Sequence, residues 1–163
     1  MTTNQWGSLQ FEVQKGMEPT KVVVRYANGS VIKGFTKNFS PNKDWFHLIP
    51  ADKPTGETIE VFVKRLKAVF VVRDFYGNPQ YREQKKYIEG ENPSGVKLEV
   101  TFADGEVMVG STLLSYDPKR PGNFIIPADP NSNNLRVFVV SSAVKNVRQL
   151  FDIPEEDRLP GEA

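Results

Sequence analysis

The feature that most constrains the fold is a stretch that occurs twice in the chain. Residues 21–34 read KVVVRYANGSVIKG, and residues 97–110 read KLEVTFADGEVMVG. In each copy, alternating apolar side chains precede an Asn-Gly or Asp-Gly pair. This is the pattern of a half-buried strand that enters a tight hairpin turn. Each copy therefore predicts two antiparallel strands joined by a two-residue turn.

The correspondence continues beyond the hairpin. The segment Ile-Pro-Ala-Asp ends a third predicted strand at residues 49–52 and again at residues 126–129. Predicted fourth strands follow at 59–63 and 135–139, and predicted fifth strands at 68–73 and 143–148. Gly34 and Gly110 stand inside the second strands, where glycine indicates a bend or a close backbone approach. The sequence therefore predicts an all-β fold of two tandem five-stranded small barrels that arose by internal duplication.

The remaining residues divide around these two units. We expect the first barrel at residues 21–75 and the second at residues 96–151. Residues 1–20 form an N-terminal arm in which the alternation at 9–13 predicts an edge strand. Residues 76–95 form a linker, with a short helix predicted over 80–88. Residues 152–163 form an acidic, proline-interrupted tail that we expect to be loose.

Composition excludes several classes of protein. The chain has no cysteine, so it has no disulfide framework and no thiolate site. No apolar run is long enough to span a bilayer, and the N-terminus lacks the pattern of a secretory signal, so we expect a cytoplasmic protein. Residues 1–75 carry eleven Lys and Arg against seven Asp and Glu, whereas residues 96–163 carry seven against ten. Either the halves of opposite net charge attract one another or stack in an oligomer, or the difference reflects drift after duplication together with the acidic tail.

No constellation of catalytic residues is visible in the sequence. His47 is the one histidine, and it has no cysteine partner and no second imidazole with which to hold a metal. Asp52 and Asp129 recur after Ile-Pro-Ala; they either cap their own turns or form an acidic pair across the two barrels. No glycine-rich phosphate loop is present. We therefore expect no enzymatic activity, no metal and no cofactor.

The hairpin and the loop after it resemble the Sm-like family. In that family an acidic residue and then Asn follow the second strand, and Asp117 and Asn123 stand in this order in the second copy. The resemblance covers both copies and implies SH3-like five-stranded barrels, which often form rings that bind single-stranded RNA. Neither copy has the family's Arg-Gly pair between the fourth and fifth strands, so the resemblance implies the fold more directly than RNA binding.

Two further resemblances bear on function. The tandem arrangement is similar to bacterial proteins that are built from two such barrels and have no assigned activity. The triplet at residues 38–40, Asn-Phe-Ser, faintly resembles the motif of PilZ-type barrels, which bind a cyclic dinucleotide. The glycine that follows in that motif is absent here.

Polar and aromatic groups on loops above a rigid scaffold indicate a binding function. We predict a non-catalytic binding or assembly module that acts through a protein partner or through self-association. The alternative is a single-stranded RNA or DNA binder, in which aromatic rings stack on bases beside cations. The residues predicted to contact the ligand lie in the third-strand loops and near the polar loop of the second copy: Lys43, Trp45, Lys119, Arg120, Asn123, Asn133 and Arg136.

Overall fold

The structure, a computed structural model, describes residues 19–53, 55–84, 86–87 and 95–151. The first five strands are β1 (Thr20–Tyr26), β2 (Val31–Thr36), β3 (Trp45–Pro50), β4 (Ile59–Phe62) and β5 (Leu66–Val72). The last five are β6 (Val96–Phe102), β7 (Val107–Thr112), β8 (Gly122–Pro127), β9 (Asn134–Val140) and β10 (Val144–Gln149). Short 3₁₀ turns, Val63–Arg65 and Ser141–Ala143, link β4 to β5 and β9 to β10. Neither of these helices is long and apolar enough to cross a membrane.

The described strands form one open sheet in which every pairing is antiparallel. The strand order is β10-β6-β7-β8-β9-β5-β1-β2-β3-β4. The all-β prediction is confirmed. The pairings among the described residues do not show two closed barrels, because β5 and β9 join the two groups of strands into a continuous sheet.

The two groups of five strands repeat the same internal order, with the fifth strand beside the first and the fourth at the far side. Gly29 and Gly105 turn the first hairpins with φ of 96° and 95°, a conformation that favours glycine. A Cβ atom at Gly34 or Gly110 would collide with a carbonyl oxygen of the facing third strand. The close backbone approach predicted for these two mid-strand glycines is therefore confirmed.

The registers correct the predicted alignment of the later strands. Val61 lies opposite Phe46 in β3, and Val139 lies opposite Asn123 at the same position of β8, so Val61 corresponds to Val139. The sequence alignment matched Val61 with Val137 instead, because both begin a Val-Phe-Val run. Position in the sheet depends on the facing strand, and the second copy is two residues longer before its fourth strand.

The hydrophobic core continues across β5 and β9, because alternate side chains of these strands face opposite sides. On β9, Phe138 and Val140 pack into the core of the first group, whereas Val137 and Val139 pack into the core of the second. On β5, Ala68 likewise packs with the second group. Each group therefore completes the core of the other.

A cluster of four phenylalanines reinforces this junction. The ring of Phe39, in the loop between β2 and β3, lies 5.0 Å from the rings of both Phe46 and Phe138, and 5.9 Å from that of Phe124. All three contacts are edge-to-face, and each such pair contributes about 0.5–1.5 kcal/mol beyond simple burial. The second group thus fixes a loop of the first.

The helix predicted over residues 80–88 is not formed at residues 80–84, 86 and 87, which have no helical structure. This part of the linker is held by the turn between β8 and β9 instead. The hydroxyl of Tyr81 and the backbone N–H of Gln84 donate to Oδ2 of Asp129 at 2.6 and 2.7 Å. The edge strand predicted at residues 9–13 and the loose tail at 152–163 lie outside the described residues.

The shared core predicts that a substitution in one group destabilises both. We expect Phe138→Ala to lower the free energy of unfolding by about 3–5 kcal/mol, since it leaves a cavity where the groups meet. Urea denaturation should then show a single transition at a lower midpoint. Phe151→Ala, at a position that is 74% exposed, is the matched control and should leave the midpoint nearly unchanged. Two separate transitions in the Phe138 variant would contradict a shared core.

Candidate functional site

An exposed aromatic pair lies at the end of the sheet where β4 is the terminal strand, with one ring on β3 and one on β4. Trp45, the first residue of β3, lies opposite Phe62 in β4. Their exposed fractions are 42% and 46%. The Trp45 ring contacts His47 at 5.0 Å, and the guanidinium of Arg65 lies 5.9 Å from the centre of the Phe62 ring. We call β4 together with Trp45, Phe62 and Arg65 the edge surface.

The counterpart of the edge surface in the second group is covered. In the register between β8 and β9, Gly122 and Val140 occupy the positions that Trp45 and Phe62 occupy in the first group. Val140 is buried, because β5 pairs along the edge of β9. The chain therefore fills one of two equivalent strand edges with its own strand. No strand of the described residues pairs with the outer edge of the other, β4.

Strand β5 also carries a cation into the second group. The ammonium of Lys67 lies 4.7 Å from the centre of the Phe102 ring, and it donates hydrogen bonds to Asp104 at 2.7 Å and to Glu106. Burial lowers the pKa of Lys67, but the hydrogen bonds to the two carboxylates outweigh this and leave the pKa raised. The hydrogen bond from Lys67, followed by that from the backbone N–H of Glu106, lowers the pKa of Asp104.

At the equivalent place in the first group there is an open depression. Its volume is about 500 Å³, and it is lined by Tyr26, Ala27, Asn28, Ser30, Ile32 and Arg65. Burial raises the pKa of the Tyr26 hydroxyl, and the charge of Arg65 partly offsets that rise. Asn28 and Ser30 stand where the second group has Asp104 and Glu106, so the depression lacks both carboxylates.

Of the seven predicted site residues, Trp45 belongs to the edge surface and Lys43 lies shortly before it in the chain. Lys43 is exposed in the loop between β2 and β3, and Trp45 follows two residues later at the start of β3. Phe62 and Arg65 are functional candidates that were not predicted from the sequence. The alternation of Phe62 with Val61 is a local signal that their side chains lie on opposite faces of the strand, but the same pattern around the buried Phe138 shows that it does not predict exposure.

Three other predicted residues lie in the loop before β8 or at the start of that strand, and they contact one another's neighbours within this segment. Asn123 is only 4% exposed; its amide oxygen accepts from the backbone N–H of Asp117 at 3.1 Å, and its amide nitrogen donates to the carbonyl of Asp117 at 2.9 Å. Arg120 donates to the carbonyl of Ser115 at 3.4 Å and lies 3.8 Å from the Asp117 carboxylate. Lys119 is the exposed member of the three. The contacts of Asn123 are those of a residue that shapes the loop.

The last two predicted residues face the chain itself. The side chain of Asn133 accepts from the backbone N–H of Asp74 at 3.1 Å and donates to its carbonyl at 2.8 Å, which fixes the start of the linker. Arg136 lies in β9, and its guanidinium is 5.7 Å from the centre of the Phe124 ring. Burial lowers the pKa of Arg136 to about 10. The structure thus separates these residues from Lys43 and Trp45 by placing them in the other group.

The recurring aspartates have unlike surroundings. Asp129 caps its own turn, since its Oδ1 accepts from the backbone N–H of Asn131 at 2.8 Å. Hydrogen bonds, the largest from the Tyr81 hydroxyl, lower the pKa of Asp129. Asp52 is exposed in the turn after β3. Within the described ranges, no group of three or more His, Cys, Asp or Glu side chains could hold a metal ion.

Strand order and site together define a class of all-β protein: a single antiparallel sheet built from two like groups of strands, with an aromatic and cationic surface at one end. The family model described as "Family of unknown function (DUF6982)" matches residues 18–151, and the chain belongs to this family. Comparison with curated proteins and with solved structures gave no match.

The different surroundings of Lys119, in the loop before β8, and of Asn123, near the start of that strand, give a prediction. Asn123→Ala should lower the free energy of unfolding by about 1–3 kcal/mol, because it leaves the part-buried backbone N–H and carbonyl of Asp117 without their partners. Lys119→Ala, the control in that loop, should change it by no more than about 0.5 kcal/mol. Thermal denaturation of both variants measures this. Equal melting temperatures would show that the Asn123 contacts do not support the loop.

The contact of Lys67 with Asp104 predicts a pH dependence. Because the pKa of Asp104 is lowered in the folded chain, its contribution to stability is present above about pH 4 and is lost as the pH falls through the folded value. The raised pKa of Lys67 keeps its contribution intact until strongly alkaline pH. Asp104→Asn should therefore reduce stability at pH 7 and have a smaller effect at pH 2, as measured by urea denaturation. Asp52→Asn is the control, and an Asp104 effect equal at both pH values would contradict the contact.

Proposed function

We propose that the chain is a non-catalytic protein-binding module that accepts an extended segment of a partner protein along β4. The observation that carries this proposal is the pairing of β5 with β9. The chain itself uses a strand to fill the edge that is equivalent to β4. Addition of a strand to an exposed sheet edge is a common mode of peptide recognition, in which main-chain hydrogen bonds supply much of the affinity.

The aromatic pair supports binding at this edge. An exposed edge strand is a site for unwanted association, and proteins commonly protect such edges with charges, prolines or bulges. β4 carries one exposed charge, Glu60, but beside it Trp45 and Phe62 are nearly half exposed, on adjacent strands and directly opposite one another. Trp is enriched among the residues that dominate interface energies. The edge surface therefore combines backbone groups for pairing with two anchors for apolar side chains.

We further infer that each group of strands is a small SH3-like barrel of the Sm-like type and that the two arose by duplication. The shared strand order, the repeated glycine contacts and the 3₁₀ turn before each fifth strand support this inference. The barrels serve as a scaffold that holds the edge surface. We place the protein in the cytoplasm, as its lack of cysteine favours.

The second candidate function is binding of single-stranded RNA or DNA. The cations beside the aromatic pair favour it, since Lys43 and Lys64 are exposed and Arg65 lies over the Phe62 ring. Cations that follow a backbone, together with rings that stack on bases, are the usual means of such binding. If the chain binds single-stranded nucleic acid, its affinity for labelled random oligonucleotides should fall steeply as the salt concentration is raised.

A photoreactive side chain placed in the edge surface tests the protein-binding proposal. We expect Phe62→p-benzoylphenylalanine to give covalent adducts with a partner protein in living cells, identified by mass spectrometry. Val107→p-benzoylphenylalanine is the matched control, because Val107 is 51% exposed at the second group's hairpin. It should give none of the same adducts.

Three outcomes would overturn the proposal. Adducts of position 62 with nucleic acid would transfer the assignment to the second candidate. Adducts with residues 1–18 of the same chain would show that the edge is covered internally. Adducts with a second copy, together with dimers in analytical ultracentrifugation, would make the chain a self-associating module.

A further inference from the structure

The two equivalent edges differ in the side chain that enters beside them. Along β9, the strand partner β5 brings Lys67 over the Phe102 ring and into contact with Asp104 and Glu106. The register fixes which residue does this, because Ala68 lies opposite Val139 and Lys67 is the preceding residue. A strand that pairs with β4 as β5 pairs with β9 would bring the residue at the position of Lys67 to the depression beside Tyr26.

The charge of the receiving site is inverted between the two groups. In the second group it has two carboxylates, and Ala143 stands at the end of the 3₁₀ turn. In the first group the carboxylates are replaced by Asn28 and Ser30, and Arg65 stands at the end of the turn. The backbone makes the same hydrogen bond at both sites. The N–H of Ala27 donates to the carbonyl of Arg65 at 2.9 Å, and the N–H of Ala103 donates to the carbonyl of Ala143 at 2.8 Å.

We propose that the partner segment carries an aspartate or glutamate at the position of Lys67, and that its carboxylate enters the depression and pairs with Arg65. This proposal rests on the proposed function. Asn28 and Ser30 add neutral hydrogen-bonding groups on the other side of the depression. The residue one position after the acid lies opposite Val61 and the residue three positions after it lies opposite Ile59, as Ala68 and Phe70 lie opposite Val139 and Val137. Both are therefore apolar, as Ala68 and Phe70 are. The partner is thus an extended segment in which an acid precedes alternating apolar residues.

A second copy of this chain does not have that pattern. Its terminal strand β10 pairs with β6 as β5 pairs with β1, with an equivalent bulge after the strand's first residue. This register places Lys145 where Lys67 stands in β5. Asn146 and Arg148 stand where Ala68 and Phe70 stand. Pairing of β10 with β4 would bring Lys145 to Arg65 and two polar residues to an apolar core.

Three labelled peptides test the charge preference. Each has the β5 order Leu-X-Ala-Val-Phe-Val-Val between Gly-Ser flanks, with Glu, Gln or Lys at X. We expect fluorescence anisotropy to show that the full chain binds the Glu peptide about tenfold more tightly than the Lys peptide, with the Gln peptide between them. The preference should weaken as salt is raised, because the pair is partly exposed.

A charge-reversal variant locates the site. Arg65→Glu should reverse the order, so that the Lys peptide binds more tightly than the Glu peptide. Lys119→Glu makes the same change in net charge in the other group and should leave the order unchanged. Circular dichroism confirms that both variants are folded, since Arg65 and Lys119 are surface residues.

The outcomes separate this inference from the proposed function. Equal binding of the three peptides, no binding of any, or an Arg65→Glu variant that keeps the original order would overturn the acidic preference. If position 62 nevertheless forms adducts with a partner protein, the proposed function stands, and only the inferred acidic residue of the partner segment is wrong. If position 62 forms no adducts with a partner protein, both the proposed function and the acidic preference are contradicted.

Discussion

The pairing of β5 with β9 is the contact on which the rest of the structure depends. It is the one pairing that joins the two groups of strands, and it gives both strands neighbours on each side. The two faces of β9 pack into two different cores, so this strand needs apolar side chains at successive positions rather than alternate ones. Residues 137–140 of β9 are all buried, and the two faces of the strand complete two different cores. Neither group has a complete core without the other.

The same requirement explains why the terminal strands differ from the central ones. β10 corresponds to β5 but lacks an outer partner, and its residues 145, 146, 148 and 149 are polar and exposed. Arg148 is held there by Glu99 of the neighbouring strand at 3.1 Å. Charges along an edge oppose pairing with another chain. β4 corresponds to β9, and it retains an exposed Phe62 next to Glu60. One end of the sheet therefore carries a row of polar residues, whereas the other exposes an aromatic ring beside a carboxylate.

Much of the fold could be predicted from the sequence, because its signals are local. Asn28-Gly29 and Asp104-Gly105 determine the hairpins, and alternating apolar residues determine the strands that flank them. The join between the groups could not be predicted, since it depends on contacts between residues about seventy positions apart, such as Ala68 with Val139. The candidate site was predicted in part for the same reason. Trp45 could be proposed from its residue type alone, because an aromatic side chain in a polar loop is a typical contact residue. Arg65 becomes a candidate only because the structure places it in the lining of the depression.

Replacement of Asp104 and Glu106 by Asn28 and Ser30 shows how one scaffold can give two sites of different specificity. The hairpin turn is the same in both, because Asn28 and Asp104 each accept a hydrogen bond from the backbone N–H two residues later. Asn and Asp serve a turn equally well. The choice between them is therefore open to selection on charge alone. In the second group the charge holds Lys67 and so fixes the internal join. In the first, the absence of that charge, together with Arg65, disfavours a lysine at the equivalent place and so favours the internal pairing over association with another copy.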